Sequence, residues 1–266
     1  MLTWWRAQKH MIKTQWVGFL TIFKKETSRL FRIWTQTLLP SLITITLYFL
    51  IFGNFIGKQI KDMEGFSYIN FIIPGLIMMA IIQNSYANVV GSVFGAKFQK
   101  SIEELLVSPL YPSTILVGYL SGGVLRGVLV GILITLISLF FAPLSIEKPF
   151  LVFGTMFLTA ILFSLLGFIN ALYAKSFDDI SIVPTFVLIP LTYLGGVFYS
   201  LSFLPPFWKN LSMINPILYI VNTFRFGFIN YTDVPVFSAV IFLSVLIIVL
   251  WFTSLTLMKK GFGLRL

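Results

Sequence analysis

The sequence predicts an all-α, polytopic membrane protein, and three observations carry that prediction. Hydrophobic residues make up 58% of the chain and charged residues 11%, against about 25% charged in ordinary soluble domains. Apolar runs of about 20 residues, the length a helix needs to cross a hydrocarbon core, recur from end to end. Phe, Trp and Tyr reach 17%, which suits interfacial aromatic belts as well as lipid-facing packing. Cysteine is absent, which excludes a disulfide framework, a thiolate metal site and a Cys nucleophile.

Residues 1–33 alternate aromatic and basic positions and lack the short apolar core and small-residue cleavage site of a secretory signal. Ile12, Trp16, Phe19 and Phe23 fall at helical spacing, with Lys9, Lys13 and Lys24 off that stripe. This arm therefore reads as an amphipathic helix in the cytoplasmic headgroup layer, with a disordered basic arm as the other reading. His10, the one histidine, has no second ligand nearby and makes a poor metal site.

Six apolar windows follow, near 34–57, 67–93, 113–141, 149–173, 180–200 and 235–258. The second and fourth carry Gln83, Asn84, Asn88 and Asn170, which favour burial against other helices over contact with lipid. An even count puts both termini on one side. With the N-terminus in the cytoplasm, thirteen basic residues fall inside, among them Arg6, Lys9, Lys13, Lys24, Lys25, Arg29, Arg32 and Lys175. Only Lys58, Lys61, Lys148, Lys209 and Arg225 fall outside, as the positive-inside rule asks. The net charge of +10 is thus an orientation and headgroup signal, and nucleic-acid binding is a poor reading of it.

The stretch "AKFQKSIEELLVSPL" (96–110) places Glu103 and Glu104 between the second and third windows, in a chain with nine acidic residues. Ser101 can cap a helix starting at Ile102, and Glu104 can reach back to the Ser101 amide as a capping box. Pro109 disfavours helical geometry at Ser108, so about two turns fit. Such a helix is too short to stand alone in water and too polar for lipid. Either a soluble partner grips it through Ile102, Leu105 and Leu106, with Glu103 off that stripe, or it caps a tight turn and rests on the chain's own helices.

From "FIIPGLIMM" (71–79) through "FQKSIEELLVSPL" to "LGGVFYSLSFLPPFWKNLSMINPILYIVNTFR" (194–225), the chain resembles permease subunits of the ABC type-2 exporter family. The last stretch carries the resemblance through the offsets of Gly195 and Val197, Leu204 and Pro205, and Pro216, Tyr219 and Arg225. The resemblance implies a homodimer of the permease in the inner (cytoplasmic) membrane of a bacterial cell, contacting membrane lipids and carrying two copies of a separate ABC ATPase. ATP and Mg belong to that partner, with no cofactor and no metal in this chain. It further implies that Ser101–Val107 is a coupling helix, with Ser101, Ile102, Glu103, Glu104, Leu105 and Leu106 at the ATPase contact and the arm as a second contact. The chain contains no G-x-x-x-x-G-K-[ST] loop, in keeping with a divided system.

Residues 201–234, with Pro205, Pro206, Asn215 and Pro216, are too interrupted to cross. In the family the corresponding region dips back from the outer face to close the exit, which makes Pro205–Tyr231 a re-entrant segment; an amphipathic external loop on headgroups is the alternative. Gly195, Gly196, Pro205, Asn215, Pro216, Tyr219 and Arg225 are the pathway or gate candidates, together with Arg126. Arg126 sits mid-span, where a charge costs about 2.5–3.5 kcal/mol, so it faces protein or water. Its flanking Gly122, Gly123, Gly127 and Gly131 admit another helix; a structural pair with a carbonyl or amide and a substrate contact are both open. Asp178 and Asp179 suit a helix N-terminus, with ATPase contact as the alternative.

No Ser/His/Asp set, paired catalytic carboxylates or metal cluster appears, so enzyme chemistry is not expected. The expected function is ATP-driven export of a hydrophobic, lipid-linked, glycan or drug-like substrate. A stand-alone ion- or proton-coupled carrier is the alternative, and it would need carboxylates within the spans.

Overall fold

The computed structural model describes residues 2–57, 59 and 62–264, with side chains from residue 11 onward, Asn54 excepted. Lys58, Lys61 and Arg265, and the side chains of Arg6, Lys9 and His10, lie outside the described residues. No strand occurs among the described residues; one isolated bridge joins Met63 and Phe66.

The helices are α1 (Leu2–Arg32), α2 (Trp34–Thr37), α3 (Leu39–Tyr48), α4 (Tyr68–Phe98), α5 (Ser101–Val107) and α6 (Pro112–Ser138). There follow α7 (Pro149–Tyr173), α8 (Asp179–Val183), α9 (Ile189–Leu194), α10 (Pro206–Met213), α11 (Pro216–Ile229) and α12 (Val236–Lys259). Proline opens α6, α7, α10 and α11, where its missing N–H is an orphan in any case and its fixed φ suits the first turn.

Among the described residues, five helical stretches are long and apolar enough to cross a membrane: Trp34–Gly53, α4, α6, α7 and α12. The first is jointed. The chain breaks at Leu38, restarts as α3 with Pro40 in its first turn, and widens into π-helical turns over Phe49–Ile56. Pro40 has no N–H for the carbonyl four residues back, which accounts for the break.

The window expected at 180–200 is not among the five. Its helix runs from Asp179 to Leu194 as α8, a π-helical turn (Pro184–Leu188) and α9. Those residues rise about 24 Å, short of a ~30 Å hydrocarbon core. Pro184 and Pro190 loosen its ladder, and Gly196, at φ +71°, turns the chain away after Gly195.

The core is α4 with α6 and α7 against it; α4 is buried on nearly every side, whereas α12 and α3 expose most of theirs. Small residues set this packing. Gly123, Gly127 and Gly131 of α6 face Ser164, Val89, Ser85, Ile81 and Met156, so close that an added Cβ would overlap them. On another face of α6, Gly118 and Gly122 receive Ile22 and Glu26 of α1. The neighbours admitted by the glycines around Arg126 are therefore helices of this same chain.

The arm forms a helix and docks lengthwise on α6. Gln15 donates to the Pro109 carbonyl (2.8 Å) and accepts from the Tyr111 amide (2.9 Å) and Thr114 hydroxyl (2.7 Å). Ile22, Glu26 and Leu30 form its buried face, while Ile12 and Trp16 of the expected stripe stay exposed.

Candidate functional site

Three sites can be built from these elements: a short acidic helix, a cleft along α4, and a buried clamp at the far end of α4.

The short helix is α5. Its expected end holds: Ser108 is extended before Pro109, and its hydroxyl donates to the Leu105 carbonyl (2.6 Å). Its expected start does not. Lys100, in the left-handed region at φ 59°, is the N-cap, and Ser101 is the first helical residue. The Ser101 hydroxyl points back to the Ala96 carbonyl (3.4 Å), so no capping box with Glu104 forms. The chain reverses within the two residues, Gln99 and Lys100, that separate α4 from α5, too tightly for Ser101 to stay outside the helix. Ile102 is 1% exposed and anchors α5, with Leu105 half-buried. Glu103, Glu104, Leu106 and Val107 face outward, Val107 at 86% exposure.

The cleft follows from the faces of α4. On one flank Asn84 donates to Ser41 (2.9 Å), the Asn88 side chain accepts from Arg29 (2.9 Å), and Ser92 donates to Glu26 (2.5 Å). On the other flank Tyr86 accepts from Asn170 (2.6 Å), and the Phe94 ring meets Phe177 at 4.9 Å. Between these flanks runs a strip of small residues, Ala87, Gly91 and Gly95, below the partly exposed Gln83. Nothing lies within 4 Å of where a Cβ would stand on Gly91 or Gly95. Followed toward the start of α4, the strip closes: Ala80, Leu76 and Ile73 are buried, and Ile69 packs under Gly53. Rings of Tyr48, Phe52, Tyr193 and Phe198 lie across that end, with centroids 5.1–6.2 Å apart. The strip is thus exposed toward α5 and covered at its opposite end.

The clamp is Arg225, buried completely in α11. It donates to the carbonyls of Phe71 (3.1 Å) and Gly196 (2.7 Å), and its guanidinium lies 3.8 Å from the Phe71 ring centre. Asn215 caps α11 through the Ile217 amide (2.9 Å) and donates to the Leu191 carbonyl (2.6 Å). Pro216 opens that helix, and Gly195 and Gly196 end the run from Asp179. These five candidates therefore gather where α4, α9 and α11 meet.

Tyr219 stands nearby, its hydroxyl on the Met213 carbonyl (2.7 Å). Pro205 precedes α10 on the surface, away from the clamp. Arg126 belongs elsewhere: it donates to Asn84 (3.0 Å) and to the Thr37 carbonyl (2.9 Å) at the break in the first span. Asp179 accepts from the amides of Lys175 (2.8 Å) and Ser176 (3.0 Å), while Ser176 accepts from the Asp179 amide (3.2 Å), a reciprocal cap.

Three functional features lay outside the sequence reading. The α4 strip was signalled by small residues four apart after Gln83. Glu26, buried with Arg29 at 2.9 Å, had only its isolation among basic neighbours as a sign. Lys97 lies within α4 and donates to the carbonyls of Ala171 (3.0 Å), Leu172 (3.1 Å) and Ala174 (2.8 Å) at the end of α7.

Comparison with known proteins places the chain in a family. The family model described as ABC-2 type transporter matches residues 17–229. "Inner membrane transport permease YadH" of Escherichia coli K12 is 56% identical over 255 residues, 96% of this chain and the whole of that protein. "Nodulation protein J" of Neorhizobium galegae is 20% identical over 84% of this chain and 86% of its own length. The chain belongs to the ABC-2 type transporter family, as a membrane permease whose ATPase activity lies in a separate subunit.

Proposed function

We propose that the chain is the permease half of an ATP-driven exporter in a bacterial inner membrane, with both termini in the cytoplasm. Two copies face each other across their α4 clefts, and the cargo is hydrophobic, lipid-linked, glycan or drug-like. The observation that carries the reading is α5: one buried anchor, Ile102, holds a helix whose acidic and apolar residues face outward from the open end of the cleft. A helix this short, presenting Glu103, Glu104, Leu106 and Val107, fits a groove on a soluble ATPase better than lipid.

In this reading Asp179–Leu194 is a sixth crossing in a bilayer locally thinned to its ~24 Å length, and it abuts its counterpart in the second copy. Exposed Phe186 and Tyr193 supply that contact. Residues 206–229 form the re-entrant closure: α11 is buried and α10 lies exposed at its rim. ATP binding draws the ATPase subunits together, α5 moves with them, and the rigid α4–α7 unit opens the shut end. The cleft's closure at the end away from α5 supports outward transport.

The experiment is co-purification of tagged full-length permease with its ATPase. Glu103→Lys with Glu104→Lys should lose at least nine-tenths of the ATPase while membrane insertion is retained. Undiminished co-purification would overturn the assignment of α5, and ATP-independent transport by the permease alone would overturn the exporter reading.

A further inference from the structure

Two grooves on the outer side of α6 join into one. The first, about 460 Å³, lies between the exposed ends of α1 and α6; its lining is mostly apolar, with Gln15, Tyr111, Ser113 and Thr114 as the polar residues at its mouth. The second, about 440 Å³, continues along α6 past Leu120 and Val124 to Val128, closed behind by Phe157 of α7 and Trp251 of α12, and presents only apolar atoms. Phe19 and Val117 line both, so the passage from polar to apolar is unbroken. Phe19 and Phe23, the aromatic stripe of α1, thus form one wall of a groove.

From Val117 to Val128 α6 rises about 16 Å, half of a ~30 Å hydrocarbon core and so the depth of one leaflet. The trough is partly open along its side and wide enough for an alkyl chain to lie along α6. Helix-receiving surfaces in membranes are built of small residues, as the glycine faces of α6 are; this one is built of Phe, Val, Leu and Trp. It also lies on the side of α6 turned away from α4, so the partner copy at the α4 cleft does not reach it.

We propose that this groove is a binding site for one phospholipid of the leaflet that α1 enters. The headgroup rests among Gln15, Tyr111, Ser113 and Thr114, and one acyl chain lies along Val117–Val128 with its end at Trp251. The lipid completes the seat of α1, which is otherwise held on α6 by Ile22, Glu26 and the bonds of Gln15. The site requires neither the ATPase nor the α4 cleft, so it stands or falls separately from the exporter reading.

The test uses the full chain in vesicles of phosphatidylethanolamine carrying a diazirine at the end of one acyl chain, with adducts mapped by mass spectrometry after illumination. Adducts are expected to concentrate on Phe157, Ile161 and Trp251. Val124→Trp, or the milder Ser121→Phe, fills the trough and should cut them at least fivefold, whereas Leu136→Trp, at an exposed position on α6 outside the groove, should leave them unchanged. Adducts spread evenly over the exposed face of α12, or undiminished in both filled variants, would overturn the site, as would capture of a second copy or of cargo in place of phospholipid.

Discussion

Lys97 spends its charge on backbone. Its ammonium has three donors, and each meets a carbonyl at the end of α7 that the helix itself leaves unpaired. The cation also opposes the negative end of the α7 dipole. Lys97→Met should therefore lower stability by about 2–3 kcal/mol, read as a fall in the thermal midpoint of the purified protein, with Lys97→Arg recovering part of it. Glu26 poses the reverse problem, an acid buried beneath α1. Glu26→Ala deprives Ser92 of its acceptor and leaves Arg29 with Asn88 alone, and should cost about 2 kcal/mol. Loss of α1 docking should appear with it, as faster proteolysis after Lys24 or Lys25. At the far end, the Ser202 hydroxyl on Glu64 (2.5 Å) holds that carboxyl below the usual carboxylate range. A depressed carboxylate stabilises above its unfolded-state pKa and ceases to as pH falls through its folded value. The tie between residues 62–66 and 200–202 should thus loosen in acid, and Glu64→Gln should remove that pH dependence from proteolysis of the loop.

Among elements, glycine position separates packing from function. A Cβ on Gly127 overlaps Ser85, whereas one on Gly91 meets nothing within 4 Å. Gly127→Leu should abolish a monodisperse peak in size-exclusion chromatography, and Gly91→Leu should preserve that peak while lowering transport at least tenfold. How much of this was legible follows the same division. The C-terminal end of α5 and the starts of α6 and α7 were readable because Pro109, Pro112 and Pro149 act through local sterics. The start of α5 was not, since Lys100 takes a left-handed turn only because α4 and α5 must reverse within two residues. The run from Asp179 read as a full span because hydropathy averages over Pro184 and Pro190, whose effect on length is geometric. Asn84 and Asn88 were correctly read as buried, and both are 2% exposed. Arg126 was placed mid-span, but its partner at Thr37 depended on a helix break that apolar periodicity conceals.

At the scale of the whole molecule, the described helices gather round one interlocked core. α4, α6 and α7 interlock through glycine, Lys97 ties two of them at the α5 end, and Arg225 ties α4 to α11 and the Gly196 turn at the other. Between Phe71 and Lys97, what remains exposed on α4 is Gln83, Ala87, Gly91 and Gly95, with aromatic rings beyond one end and α5 beyond the other. A face so narrow on a helix so buried suits a passage shared between two copies. The chain contains no cysteine, so a single Gly91→Cys variant reports without interference. The decisive measurement is labelling of that cysteine by a membrane-impermeant maleimide in membranes holding the permease and its ATPase, with and without a non-hydrolysable ATP analogue. Labelling from the cytoplasmic side that drops at least fivefold with the analogue is the predicted result. Labelling that is absent, or that ignores nucleotide, would contradict a driven passage along α4.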